Sequence, residues 1–219
     1  MSNNASGAGN QQERLCGVCK NMDTKNMTPE QILQNLFHGK RKQLNQFIAG
    51  FVDGEGSFSV AIIKHPYHKI GWMINPVFQV YQHQNYRHVL ELCKFVFRTG
   101  SIYRKSGIHP VLNFSVDSRR NLMEKIIPFF DKYPLVVKRD DYLKFKEILI
   151  AMENREHWTE KGFKKLVLIA HSMNAQGKQR KYSLKDIFSE VENNKVVDTA
   201  KNPQRPTSDP TKINNLTGR

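Results

Sequence analysis

A chain of 219 residues with 39% apolar side chains has room for one ordinary domain with tails, built on a core of its own. Its 34 Lys and Arg against 20 Asp and Glu give a formal charge of +14 and a pI near 9.7, which implies a polyanionic partner and salt-sensitive binding. Three cysteines exclude a disulfide framework, and no apolar run reaches transmembrane length, so nucleic acid is the expected partner and a membrane is not.

The first dozen residues are rich in Ser, Asn, Gly and Gln, the composition of a disordered start. Cys16-Gly17-Val18-Cys19 has the spacing of half a zinc site, with no second pair to complete it. Thr28-Pro29-Glu30-Gln31 supplies an N-cap, a proline at the first helical position and a capping-box glutamine. Ile32, Leu33, Leu36 and Phe37 follow on one face, so a short helix is predicted over 29–38, inside an N-terminal extension of residues 1–42. The run Lys40-Arg41-Lys42 reads as a solvated linker, or as a phosphate contact at the flank of bound DNA.

Leu44, Phe47, Ile48, Phe51 and Val52 recur at helical spacing and predict a helix over 43–53, stopped by glycines. Gly50 and Gly54 share a face that would let another helix approach closely. Asp53 and Glu55 stand at the C-terminal end, where the helix dipole disfavours a carboxylate. That placement suits a hard cation, and it suits equally a plain turn into a strand.

Ser57 to Lys64 alternates as a strand, with Phe58, Val60 and Ile62 on one side and Ser57, Ser59, Ala61 and Ile63 on the other. After a loop at 65–71, Trp72 to Gln84 returns, setting Phe78, Val80 and Gln82 against Gln79, Tyr81 and His83. A helix is predicted from Tyr86 to Arg98, then a second hairpin with Ile102, Leu112, Phe114 and Val116 inward and Tyr103, Lys105, Asn113 and Ser115 outward. From Arg119 the chain reads as helical, with amphipathic segments at Tyr142–Met152, Phe163–Met173 and Ser183–Val191, then a tail from Asn193 expected to be flexible. The outward strand faces carry polar and basic groups, the composition of a sheet that reads base edges or of an ordinary wet face.

Ile48-Ala49-Gly50-Phe51-Val52-Asp53-Gly54-Glu55-Gly56 resembles the signature of the LAGLIDADG homing endonucleases, with Gly54 for the second Ala and Glu55 for the last Asp. Within that family Phe78-Gln79-Val80-Tyr81-Gln82-His83 and Ile126-Ile127-Pro128-Phe129-Phe130 are similar to enzymes encoded in ribosomal RNA introns. The resemblance covers roughly 43 to 175 and implies an α+β fold: an αββαββα core whose antiparallel four-stranded sheet forms a DNA-binding saddle, plus C-terminal helices. On this reading 43–192 is the endonuclease domain and 193–219 its tail. The motif occurs once, which implies a homodimer packed through Gly50, Gly54, Phe47 and Phe51. The implied activity is intron homing, a Mg²⁺-dependent double-strand cut at a long pseudo-palindromic DNA site, with two or three ions per dimer.

Residue by residue, the resemblance makes Glu55 and the Gly54 carbonyl the metal ligands. Glu55, Gln82 and Lys138 become the catalytic set, with Arg139 as the alternative to Lys138, and Asp53 is structural at the helix end. Ser59, Ile63, Gln79, Tyr81, Arg87, Tyr103, Lys105, Asn113 and Ser115 are the expected DNA contacts. An RNA maturase acting on its host intron, or a non-cleaving DNA-binding protein, is the competing reading on the same scaffold. The setting expected is intracellular, a chloroplast-encoded protein first and a bacterial cytoplasmic one as the alternative.

Overall fold

The computed structural model describes residues 23–66, 68, 70–105, 110–174 and 180–201, with side chains to Asn193. The Cys16–Cys19 pair, Ser106 and the chain beyond Lys201 lie outside the described residues. The elements follow the order α1 (Pro29–Phe37), α2 (Arg41–Glu55), β1 (Gly56–Lys64), β2 (Trp72–His83), α3 (Arg87–Phe97), β3 (Ser101–Arg104) and β4 (Val111–Val116). Helices then complete the chain: α4 (Arg119–Asn121), a π turn (Leu122–Ile126), α5 (Ile127–Lys132), α6 (Arg139–Glu153), α7 (Glu160–Ser172) and α8 (Leu184–Lys201). The strands form one sheet in the order β1-β2-β4-β3, so the α+β architecture expected from the sequence is the one observed.

Local chemistry sets the starts and stops. The capping box at α1 closes, with Gln31 N–H donating to Thr28 Oγ1 and Thr28 N–H to Gln31 Oε1. The basic run before α2 corrects the linker reading, because Arg41 already belongs to the helix. Its guanidinium lies 4.3 Å from the Phe95 ring centroid and donates to the Phe95 carbonyl at 3.2 Å. Burial, and next the neighbouring charge of Arg98, lower the Arg41 pKa.

The second correction is at the other end of α2. The helix does not stop at 53; it runs through Gly54 and Glu55 and passes into β1 with no loop. Gly56 makes that possible, since a Cβ there would lie 2.6 Å from both the Val52 carbonyl oxygen and Val52 Cγ1. Pro128, which has no N–H to offer and crowds the carbonyl four residues back, stands two residues past the π turn.

The chain divides into two compact units, residues to Ser59 with Pro76–Leu149, and Val60–Asn75 with residues from Ile150 onward. In the first, the inward sheet positions Phe58, Phe78, Val80, Leu112, Phe114 and Val116 are all buried. Phe58 packs 5.1 Å from Phe78 and 5.4 Å from Phe130, Tyr142 and Phe145, and each fully buried ring contributes about 1.5–3 kcal/mol. In the second unit Phe163, Leu166, Val167 and Ala170 of α7 are buried, as are Ile187 and Val191 of α8. Lys64 lies 5.3 Å from the Trp72 and Tyr182 rings and pairs with Glu190 at 2.5 Å. Helix α8 continues to Lys201, so residues 193–201 are helical where the sequence read a loose tail.

Candidate nuclease site and nucleic-acid face

Because α2 runs to Glu55, its last turn delivers two carboxylates in different directions. Glu55 is exposed at the helix terminus, among carbonyls that have no partner within the helix. Asp53 turns to the segment before α6 instead. Its Oδ2 accepts the Val136 and Val137 N–H groups at 3.0 Å, and its Oδ1 accepts Lys138 N–H at 2.9 Å. Burial alone would push the Asp53 carboxyl up; the three backbone donors and the Lys138 ammonium outweigh it and hold it below its ordinary value.

This grip is the feature that sequence reading missed. It ties Lys138 to the end of the motif helix across 85 positions of chain, and leaves Arg139 as the first residue of α6. Nothing periodic announces it. The only local hint is the apolar run Pro134-Leu135-Val136-Val137, in which Val136 and Val137 stand 83% and 78% exposed instead of in a core.

Gln82 lies near the end of β2, opposite Leu112 of β4. Its Oε1 accepts the His83 N–H at 2.8 Å, which leaves the amide NH₂ as the group it can offer. Of the expected catalytic residues, the Lys138 backbone is tied by Asp53 to the turn that ends in Glu55, while Gln82 stands on β2.

The outward sheet face assembles most of the expected contact residues. Register places Gln79 opposite Ser115, and Tyr81 and Tyr103 on either side of Asn113. The Tyr81 hydroxyl donates to Gln79 Oε1 at 2.8 Å, and Lys105 Nζ lies 5.1 Å from the Tyr81 ring centroid. Burial raises the Tyr81 pKa, so it remains a neutral donor. In the middle of this row Asn113 Oδ1 is buried with no hydrogen-bond partner among the described residues. An acceptor left that way costs about 1–3 kcal/mol until a donor arrives. Ser59 hydroxyl donates to the Val77 carbonyl at 3.4 Å, and Ile63 is exposed. Arg87 stands apart, on the first turn of α3, where it pairs with Glu91 at 2.9 Å.

The motif helix keeps its other face open. A Cβ built at Gly50 or at Gly54 meets no heavy atom within 4 Å. Neither glycine is required by the packing of its own chain. The contrast with Gly56 is complete.

Comparison with known proteins agrees with this arrangement. The model of the LAGLIDADG endonuclease family matches residues 48–149. DNA endonuclease I-CeuI of Chlamydomonas moewusii is 36% identical over 143 residues, 61% of this chain and 66% of that protein. A probable intron-encoded endonuclease of Neurospora crassa is 36% identical over 58% of this chain, which spans only 28% of it. Among solved structures, the archaeal intron-encoded homing endonuclease I-Vdi141I complexed with DNA superposes with a TM-score of 0.66 at 32% identity, covering 72% of this chain and 99% of that one.

Proposed function

The chain belongs to the LAGLIDADG endonuclease family, and from that premise we propose that it is an intron-encoded, site-specific double-strand DNA homing endonuclease acting as a homodimer with divalent metal. The observation that carries the proposal is the end of α2: an exposed Glu55 with the Lys138 segment bound to the same turn by Asp53.

Among the described residues no group of three His, Cys, Asp or Glu could hold an ion. The donor set that fits is Glu55 and the Gly54 carbonyl from each of two copies, joined by phosphate oxygens, all hard oxygen ligands of the kind Mg²⁺ takes. When bound, the ions neutralise charge on the phosphate and supply an activated water. Lys138 sets a further positive charge beside the scissile phosphate, and the Gln82 NH₂ donates to a water or phosphate oxygen there.

Gly50 and Gly54 support the homodimer. Two glycines inside a helix cost about 1 kcal/mol each against alanine, and the chain's own packing asks for neither. A two-fold pair of helices would bring both Glu55 groups to one duplex and make the recognised site pseudo-palindromic. Base reading falls to Gln79, Tyr81, Tyr103, Lys105, Asn113 and Ser115, with Ile63 and Ser59 along β1 and Arg87 as a phosphate contact. On the same family likeness we propose an intracellular, chloroplast-encoded protein, with a bacterial cytoplasmic one as the alternative.

Glu55→Gln is the test, on duplex carrying the insertion site of the host intron and with Mg²⁺ present or withheld. Loss of cleavage with binding and dimerisation kept is the expected result. Undiminished scission, or a protein that binds as a monomer, would refute it. Wild-type binding without nicking would move the chain to the maturase or non-cleaving reading.

A further inference from the structure

At about 100° per residue, the open positions of α2 follow one another around the helix as Lys42, Asp53, Gln46, Gly50, Gln43, Gly54, Phe47 and Phe51. The glycines are therefore in the middle of the face, and its two flanks differ. On one side is an aromatic ridge. Phe47, 43% exposed, stacks on Phe51 with ring centroids 6.3 Å apart, and Phe37 of α1 braces it at 5.7 Å.

On the other side is an open groove of about 450 Å³. Lys42, Gln46, Ala49, Gly50 and Asp53 line its α2 wall, and Lys132, Tyr133, Pro134 and Val136 face them. That second wall is the segment held by Asp53, so the groove and the Lys138 anchor are one construction.

Symmetry decides what each flank meets. If two copies deliver Glu55 to the same duplex, their α2 helices run parallel, with the two-fold axis between and along them. Rotation by 180° about such an axis sets each helix's left flank against its partner's right flank. Ridge cannot meet ridge; ridge meets groove, twice, as an isologous interface requires.

We infer that Phe47 and Phe51 of each copy seat in the Ala49–Gly50–Val136 groove of a second copy, so that dimerisation closes the segment that carries Lys138. This rests on the homodimer reading and adds the pairing within it. The chemistry is complementary: the groove has an apolar floor at Ala49 and Gly50, and Lys42 and Lys132 at its rim can face aromatic rings. Val136, 83% exposed in the single chain, gains a ring to cover it. The N-terminal helix acquires a purpose as well, since Phe37 holds Phe47 in place for its partner.

Site-directed cross-linking of the full chain, with Cys16 and Cys19 changed to Ser, separates this from the reading beneath it. One tagged copy carries Phe51→Cys and a second Val136→Cys, since Val136 stands level with Asp53, two residues beyond Phe51, and in a separate preparation both copies carry Gln43→Cys, at the centre of the face. The expected result is disulfide formation in both, with protection of the Val136, Val137 and Lys138 amides from hydrogen exchange rising at least tenfold on dimerisation. A Gln43→Cys cross-link without the Phe51→Cys to Val136→Cys one, or with a Phe51→Cys pair forming between two such copies instead, overturns the ridge-in-groove pairing and leaves the dimer. A chain that stays monomeric on its duplex and forms neither cross-link overturns both. Phe47→Ala gives a second reading without a new thiol: self-association weakens at least tenfold and the amide protection is lost, whereas an unchanged dimer refutes the seat.

Discussion

Substituting Gly50 by Ala sets the preference of the single chain against that of the assembly. An added Cβ meets no heavy atom within 4 Å, so nothing in the chain opposes it. Glycine in a helix interior is about 1 kcal/mol less favourable than alanine, and the isolated chain should gain roughly 0.5–1 kcal/mol. With an m-value of about 2 kcal/mol/M, that raises the urea midpoint by about 0.3–0.5 M. Between two close helix backbones the same methyl is overpacked, which costs about 1–3 kcal/mol, and each copy brings one. Two such methyls cost about 2–6 kcal/mol, and since 1.4 kcal/mol is tenfold in affinity, the dimer should weaken by roughly 30- to 20,000-fold. Sedimentation equilibrium gives the dimer constant, and urea unfolding at concentrations below it gives the stability of the single chain. Opposite signs are the prediction. An alanine that stabilises the chain and leaves the dimer unchanged would remove Gly50 from the interface. One that destabilises the chain would contradict the open space seen around it.

Gly56→Ala should behave in the opposite way, because its Cβ would lie 2.6 Å from the Val52 carbonyl oxygen. A loss of about 1–3 kcal/mol is expected in the single chain, read from urea unfolding. Asp53→Asn removes the charge that three backbone N–H groups share, and should cost about 1–2 kcal/mol near neutral pH while lowering cleavage more than DNA binding. Because the folded pKa of Asp53 is depressed, its contribution is complete above the ordinary carboxylate value of 3.8 and is lost as pH falls through the lower folded value. The stability gap between wild type and Asp53→Asn should therefore close only below pH 3.8, and a gap that closed at higher pH would refute the assignment. Asn113→Ala relieves a buried acceptor without a partner, so thermal stability should hold or rise while discrimination against the wrong base pair falls by about 1–3 kcal/mol in a binding competition.

Most of the scaffold was legible before any coordinates. The capping box at Thr28, the helical spacing through Phe47 and Val52 and the parity that turns Phe78, Phe114 and Val116 inward are patterns within one element, and each element appears in the fold. The same parity put Gln79, Tyr81, Tyr103, Asn113 and Ser115 on one face, as the register confirms. Helix ends were read less well. Glycine weakens a helix without forbidding it, so α2 could run on through Gly54, and the basic run at Arg41 found a ring and a carbonyl to hold it.

By itself, then, the order of residues determined the sheet, its wet face and the motif with its acid at the helix end, because periods of two and 3.6 are properties of neighbouring positions. Only tertiary structure decided that Asp53 grips residues 136–138, that Lys138 is thereby carried to the end of α2, and that this same segment walls a groove opposite an aromatic ridge. Those contacts join groups more than eighty positions apart, and no local propensity specifies such a partner. They form when the packed aromatic core has brought α2 and the start of α6 together and a half-buried carboxylate must find its hydrogen bonds.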